Sequence, residues 1–393
     1  MTTPFTANRR ELLRAGTATL SLVTTGGVLT ACSIPPAPET LPLPDRGPIV
    51  TKLSEDPRID PRIKASFGTW SQSPAPDVSS REELLAQLNS PEGRAALAIE
   101  QNLYKASGTE AVAPSTGLTI RTETFISSPD GNSVNILFIR PQGDEVLPCV
   151  YYTHGGGMAY LSAFDDNYQA WGRIIAAKGV AVAMVDFRNS LLPSSAPEVL
   201  PYPAGLNDCV SGLRWVHQNA EVLRIDPSRI IISGDSGGGN LALATSMKLR
   251  RDGDISLIKG IYALCPFIAG QWPLPENPST YENGGIFIDV SNNRMAYAYG
   301  IDAFQSRDPL AWPSFASETD VRGLPLVVIS VNECDPLRDE GVNFYRLLLR
   351  SGVHARCRQI MGTVHATEVL PGWAPDISHT TANDIAYLVK EGR

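Results

Sequence analysis

The sequence predicts an α/β protein with a mostly parallel central sheet and helices on both faces. Two observations carry that expectation. From about residue 118, short apolar runs alternate with longer amphipathic stretches, the rhythm of repeated strand–helix crossovers. A Gly-x-Ser-x-Gly run then falls at the junction between one such strand and the helix that follows. Composition agrees, since 43% hydrophobic and 19% charged residues over 393 positions supply a large core. The net charge of -8, with 33 basic against 41 acidic residues and no clustered basic stripe, argues against a nucleic-acid partner. No run of about eighteen strongly apolar residues is present, which argues against a multi-span membrane protein.

The first thirty-odd residues read as an export signal rather than as part of the body. Arg9-Arg10-Glu11-Leu12-Leu13-Arg14 is a positive segment, and residues 15–31 carry no charge. The paired arginines resemble a twin-arginine signal, and Leu29-Thr30-Ala31-Cys32 resembles a bacterial lipobox, which makes Cys32 the expected lipidation site. Residues 1–31 are therefore assigned to the signal and 32–49 to a linker. Six prolines within residues 35–48 make that linker a semi-rigid spacer. The expected location is that of an exported, membrane-anchored lipoprotein, with a cytoplasmic enzyme as the alternative. Five cysteines remain beyond Cys32, with no CxxC pair and no framework spacing, and they read as small core hydrophobes.

Residues 118–127 and 134–140 read as a hairpin joined at Pro129-Asp130-Gly131. Strands follow at 148–153, 180–186, 229–233, 258–264 and 326–331. Helices are expected at 168–178, 202–219, 236–251, 338–350 and 378–390. Two segments break the rhythm: residues 50–117, and an insertion over about 266–313 rich in Trp, Tyr and Phe. Together they are expected to form a cap over a catalytic domain spanning 118–393.

The chemistry concentrates in two glycine-rich motifs. Gly234-Asp235-Ser236-Gly237-Gly238 lets the chain make a strained strand-to-helix turn that exposes the Ser236 hydroxyl. The helix behind it directs its positive end toward a developing oxyanion. The same pentapeptide occurs around the nucleophile of trypsin-like proteases, but those are all-β and their histidine precedes the serine. His154-Gly155-Gly156-Gly157 follows the strand ending at Thr153 and offers backbone N–H groups to a substrate oxygen. Gly156, Gly157 and Gly237 are the expected oxyanion donors.

These motifs, with Tyr202-Pro203-Ala204-Gly205-Leu206-Asn207-Asp208 and Asp335-Pro336-Leu337-Arg338-Asp339-Glu340-Gly341, resemble the hormone-sensitive-lipase-like bacterial branch of the α/β-hydrolases. The resemblance runs from about residue 118 to the C-terminus. It implies the α/β-hydrolase fold and a nucleophile, acid and base at Ser236, Asp335 and His365. The residues support this independently. His154 and His217 precede Ser236, His354 falls in an alternating strand, and His379 starts the last expected helix, which leaves His365 as the candidate base. Asp335 follows a strand end, with Glu333 and Asp339 as alternative acids. The chain departs from the family at Gly237, where Ala is common, at Met158, where an aromatic is common, and at Phe187-Arg188-Asn189-Ser190.

The expected function is a serine carboxylesterase acting on small-molecule esters, of short to medium chain or aromatic, through an acyl-enzyme. An amidase, deacetylase or acyltransferase uses the same triad, and a non-catalytic ligand binder is the remaining alternative. No cofactor or metal is implied, because no phosphate loop, metal cluster or dinucleotide motif appears.

Overall fold

The computed structural model describes residues 53–67 and 75–392. The export signal, Cys32 and the proline-rich linker expected over residues 1–49 lie outside them. Eight strands form one sheet: β1 (Leu118–Ile126), β2 (Ser133–Pro141), β3 (Leu147–Thr153), β4 (Ala181–Asp186), β5 (Ile225–Asp235), β6 (Gly260–Leu264), β7 (Leu326–Cys334) and β8 (Ala355–Val364). Their order in space is β1-β2-β4-β3-β5-β6-β7-β8. β2 pairs antiparallel with β1 and β4, and every other pairing is parallel. The strand order reverses beside β3, so a crevice opens past the carboxyl ends of β3 and β5. Both glycine-rich motifs sit at that crevice.

The helices that matter here are α1 (Pro61–Phe67), α2 (Arg81–Leu88), α3 (Pro91–Ser107), α4 (Asp166–Ala176), α5 (Ala204–Gln218), α6 (Gly237–Asp252), α7 (Arg294–Tyr299), α8 (Arg338–Arg350) and α9 (Pro375–Glu391). Strand residues alternate between two apolar layers, as a period of two requires. On β3, Cys149 and Tyr151 join the layer under α5, α6 and α8, while Val150 and Tyr152 join the layer under α4 and α9. Cys149, Cys209, Cys265 and Cys334 are buried and Cys357 half-buried, all as free thiols.

The expected helix at 202–219 begins only at Ala204, because Pro203 occupies the capping position. β5 is longer than the expected 229–233: it starts at Ile225, which already pairs with Leu147. The segments expected to form a cap divide. Residues 53–67 belong to the body, where Ile59, Ile63 and Phe67 are buried in the layer under α4 and α9. The Asp60 N–H donates to the Gly362 carbonyl at 2.9 Å. Residues 75–107 instead meet the insertion. Val78 N–H donates to Asn293 Oδ1 at 2.8 Å, and Arg294 Nη1 to Gln87 Oε1 at 2.7 Å. Ser80 and Ser90 start α2 and α3 by accepting the N–H groups of Glu83 and Gly93. Among the described residues, no helix is long and apolar enough to cross a membrane.

One buried ion pair fixes the turn after β4. Arg188 donates through Nε to Asp208 Oδ2 at 2.8 Å and through Nη2 to Oδ1 at 2.9 Å, with both side chains inside the fold. Asp130 also faces the guanidinium, from the surface side. Removing one partner of a buried pair leaves the other charge uncompensated. Asp208→Ala should therefore lower unfolding free energy by about 3 kcal/mol, read as a lower urea midpoint with an unchanged slope.

Candidate active site

Ser236 stands alone between β5 and α6, with φ 52° and ψ -119°, a conformation that non-glycine residues rarely adopt. The glycines around it are set by close approach. A Cβ at Gly234 would lie 2.3 Å from Thr153 Oγ1, and one at Gly238 would lie 2.0 Å from the Thr153 carbonyl oxygen. Side chains there would push β5 and α6 off β3. Ser236 N–H donates to the Leu264 carbonyl at 2.9 Å, and its own carbonyl accepts from Asn240 and Phe267 at 3.0 Å each.

His365 follows β8 in a loop where Ala366 takes a left-handed conformation, φ 57°. Its Nε2 lies 2.8 Å from Ser236 Oγ and its Nδ1 2.8 Å from Asp335 Oδ2. The other Asp335 oxygen accepts the Leu337 N–H at 2.9 Å, and the carboxylate has no exposure to solvent. Burial pulls the His365 pKa down. The charge and hydrogen bond of Asp335, with Asp235 and Glu368 behind them, outweigh it and leave the pKa raised above 6.5.

The alternative acids point elsewhere. Glu333 accepts the Gly362 N–H at 2.7 Å, and Asp339 pairs with Ser279 and Arg338. The other late histidines are also apart from this relay. His354 is exposed just ahead of β8, and His379 lies inside α9 beside Lys178.

Gly156 and Gly157, at φ 89° and 62°, bring the loop after β3 against the start of α6. The approach is so close that a Cβ on Gly237 would sit 2.6 Å from the Gly157 nitrogen and 2.5 Å from the Met158 nitrogen. The N–H groups of Gly156, Gly157 and Gly237 find no acceptor among the described residues. Gly156 and Gly157 border the same pocket as Ser236 and His365. His154 stacks on Phe187 at 4.2 Å, buried, and burial lowers its pKa despite the nearby Asp186 charge.

The pocket has a volume of about 140 Å³ and is walled by Leu161, Phe267, Trp272, Phe287, Val290 and Met295. Trp272 is held from behind by Glu340, which accepts its Nε1–H at 2.6 Å and the Ile268 N–H at 2.7 Å. Burial pushes the Glu340 carboxyl up to about 8, against the pull of those donors. A second buried carboxylate, Asp235, accepts the hydroxyls of Tyr152 at 2.8 Å and Tyr168 at 2.9 Å. Sequence reasoning singled out neither contact; Glu340 and Asp235 were visible only as letters within motifs, and Tyr168 carried no signal.

Cys265, Asp335 and His365 place donor atoms within 4.8 Å of one another. Asp335 and His365 are spent on each other, however. Burial and the charge of Asp335 also raise the Cys265 thiol, so the set favours holding a proton over holding a metal.

A buried serine–histidine–aspartate relay beneath unpartnered glycine N–H groups defines a hydrolase of the nucleophile-elbow type. Residues 150–369 match the α/β-hydrolase fold family. The chain is 57% identical to esterase Est22, whose solved structure superposes with a TM-score of 0.84 over 86% of this chain and 99% of that one. Brefeldin A esterase, a bacterial homologue of human hormone-sensitive lipase, is 35% identical with a TM-score of 0.75, covering 86% and 95% of the two chains. Carboxylesterase NlhH of Mycobacterium tuberculosis is 31% identical over 62% of this chain and 73% of its own length. The protein belongs to the α/β-hydrolase family, in the esterase branch related to hormone-sensitive lipase.

The tight contact at Gly237 has a measurable consequence. Gly237→Ala should displace the Gly157–Met158 backbone and lower turnover by about tenfold or more. The melting temperature should move far less, since the strain falls on a loop.

Proposed function

We propose that the protein is a serine carboxylesterase and that Ser236, His365 and Asp335 are its nucleophile, base and acid. The observation that carries the reading is the pair of 2.8 Å hydrogen bonds through His365 at the floor of the pocket. His365 takes the Ser236 proton as the oxygen attacks the ester carbonyl, and Asp335 holds the imidazole and stabilises its cation. The N–H groups of Gly156, Gly157 and Gly237 receive the oxyanion. His365 then gives the proton to the departing alcohol, and water enters to release the acid from the acyl-enzyme. The substrate is a small-molecule ester. A narrow, aromatic-walled pocket favours short to medium chains or aromatic groups, and the Est22 structure solved with p-nitrophenol makes p-nitrophenyl esters the natural first assay.

Ser236→Ala should cut hydrolysis of p-nitrophenyl butyrate by more than about a thousandfold while the fold persists. Retention of even a tenth of the turnover would remove Ser236 from the nucleophile's role.

Only the neutral imidazole can accept the serine proton, so activity is lost as pH falls through the His365 pKa. Because that pKa is raised, the acid limb of kcat/KM should lie above 6.5. Asp335→Asn should lower both kcat and the limb's position; a limb that stays put would give the acid role to another carboxylate.

We further propose that the chain is exported and lipidated at Cys32. Arg9-Arg10 and the sequence ending at Cys32 support this, as do five thiols that stay free in the folded body and would suit export after folding. Mass spectrometry of the N-terminus from the native host tests it: a diacylated Cys32 is expected, and an unmodified one ends the proposal.

A further inference from the structure

Hydrolysis as described draws on Ser236, His365, Asp335 and three glycine N–H groups, and leaves Asp235 without a task. Asp235 is fully buried immediately before the nucleophile, a costly place for a charge that does nothing. Its two oxygens face different parts of the molecule. Oδ1 accepts the Tyr152 hydroxyl, from the middle of the sheet. Oδ2 accepts the Tyr168 hydroxyl, from the first turn of α4, and that same hydroxyl oxygen accepts the Gly155 N–H at 2.8 Å. Gly155 is the residue next to the oxyanion donors.

We infer that Asp235 and Tyr168 are positioning residues for ester hydrolysis: the carboxylate orients the Tyr168 hydroxyl, and the hydroxyl anchors the oxyanion loop through Gly155 N–H. A tyrosine hydroxyl has one hydrogen, so donation to Asp235 turns its lone pair toward the loop. The ionised carboxylate thereby fixes the direction of the whole chain of hydrogen bonds. The packing leaves no slack. A Cβ on Gly155 would lie 2.4 Å from Asp235 Oδ2 and 2.6 Å from the Tyr168 hydroxyl oxygen. One buried side chain thus ties the nucleophile's turn to the loop that must receive the oxyanion, over a separation of 67 residues between Asp235 and Tyr168. Burial pushes the Asp235 carboxyl up to about 6 while the two tyrosine hydrogen bonds pull it down, so it is ionised at any pH that leaves His365 neutral to act as base.

The proposal rests on the esterase reading, and wild-type enzyme inert toward every p-nitrophenyl ester would overturn both. With active wild type, three variants are compared at equal numbers of reactive serines, counted by complete reaction with a fluorophosphonate so that misfolded protein drops out. Tyr168→Phe should lower kcat about ten- to a hundredfold and leave KM within about threefold, because it frees the loop while keeping the Tyr168 ring that borders the pocket. Tyr152→Phe takes an equal hydrogen bond from Asp235 but touches no loop atom, and should cost less than about threefold. Asp235→Asn should lower kcat and also move the acid limb to lower pH. Three carboxylates raise the His365 pKa, Asp335, Asp235 and Glu368, and this variant removes one of them. A Tyr168→Phe enzyme with kcat within threefold of wild type would overturn the proposal. So would equal losses in Tyr168→Phe and Tyr152→Phe, which would reduce Asp235 to a structural charge.

Discussion

The strained backbone at Ser236 is the constraint on which the rest of the site depends. A serine held at positive φ costs on the order of 1–3 kcal/mol, and it persists only because its surroundings allow nothing else. The Leu264 carbonyl accepts its N–H, while Phe267 and Asn240 donate to its carbonyl. Asn240 itself is tied to the carbonyls of Phe267 and Ala311. From that fixed point the oxygen can face only one direction, outward past the carboxyl ends of β3 and β5. The loop after β8 brings His365 to meet it. Strain at one residue is thus converted into the alignment of three.

The electrostatics follow the same logic. Asp335, Asp235 and Glu368 all act on His365 from inside the fold. Glu368 is pinned by Asn332, which also reaches Thr363 near the end of β8, two residues before His365. Such a surplus of buried negative potential steadies an imidazolium that exists only during reaction, which is the moment when stabilisation counts.

What the sequence disclosed, and what it hid, divides along the range of the interactions. The turn at Ser236 was legible because its glycines lie within two residues of it and obey local geometry. His365 was legible through chain order, and the α/β alternation through its periodicity. Residues 53–67 were read as cap because nothing local distinguishes a strap over the body from a lid; only the burial of Ile59, Ile63 and Phe67 does so. Asp235 and Tyr168, or Glu340 and Ile268, lie 67 and 72 residues apart. No periodic pattern encodes a pairing at that distance. The carboxylates at 235 and 340 were hidden in plain motifs whose neighbours drew the attention.

Glu340 gives the pocket wall an unusual origin. The indole of Trp272, which a substrate would meet, hangs from a carboxylate on α8 that lies behind it and does not line the pocket. The breadth of the pocket is therefore written partly in a helix remote from the ester. Substitutions along that hidden face of α8 would change which molecules fit without altering one group that handles the acyl transfer. Substrate range and reaction chemistry are heritable on separate parts of the chain.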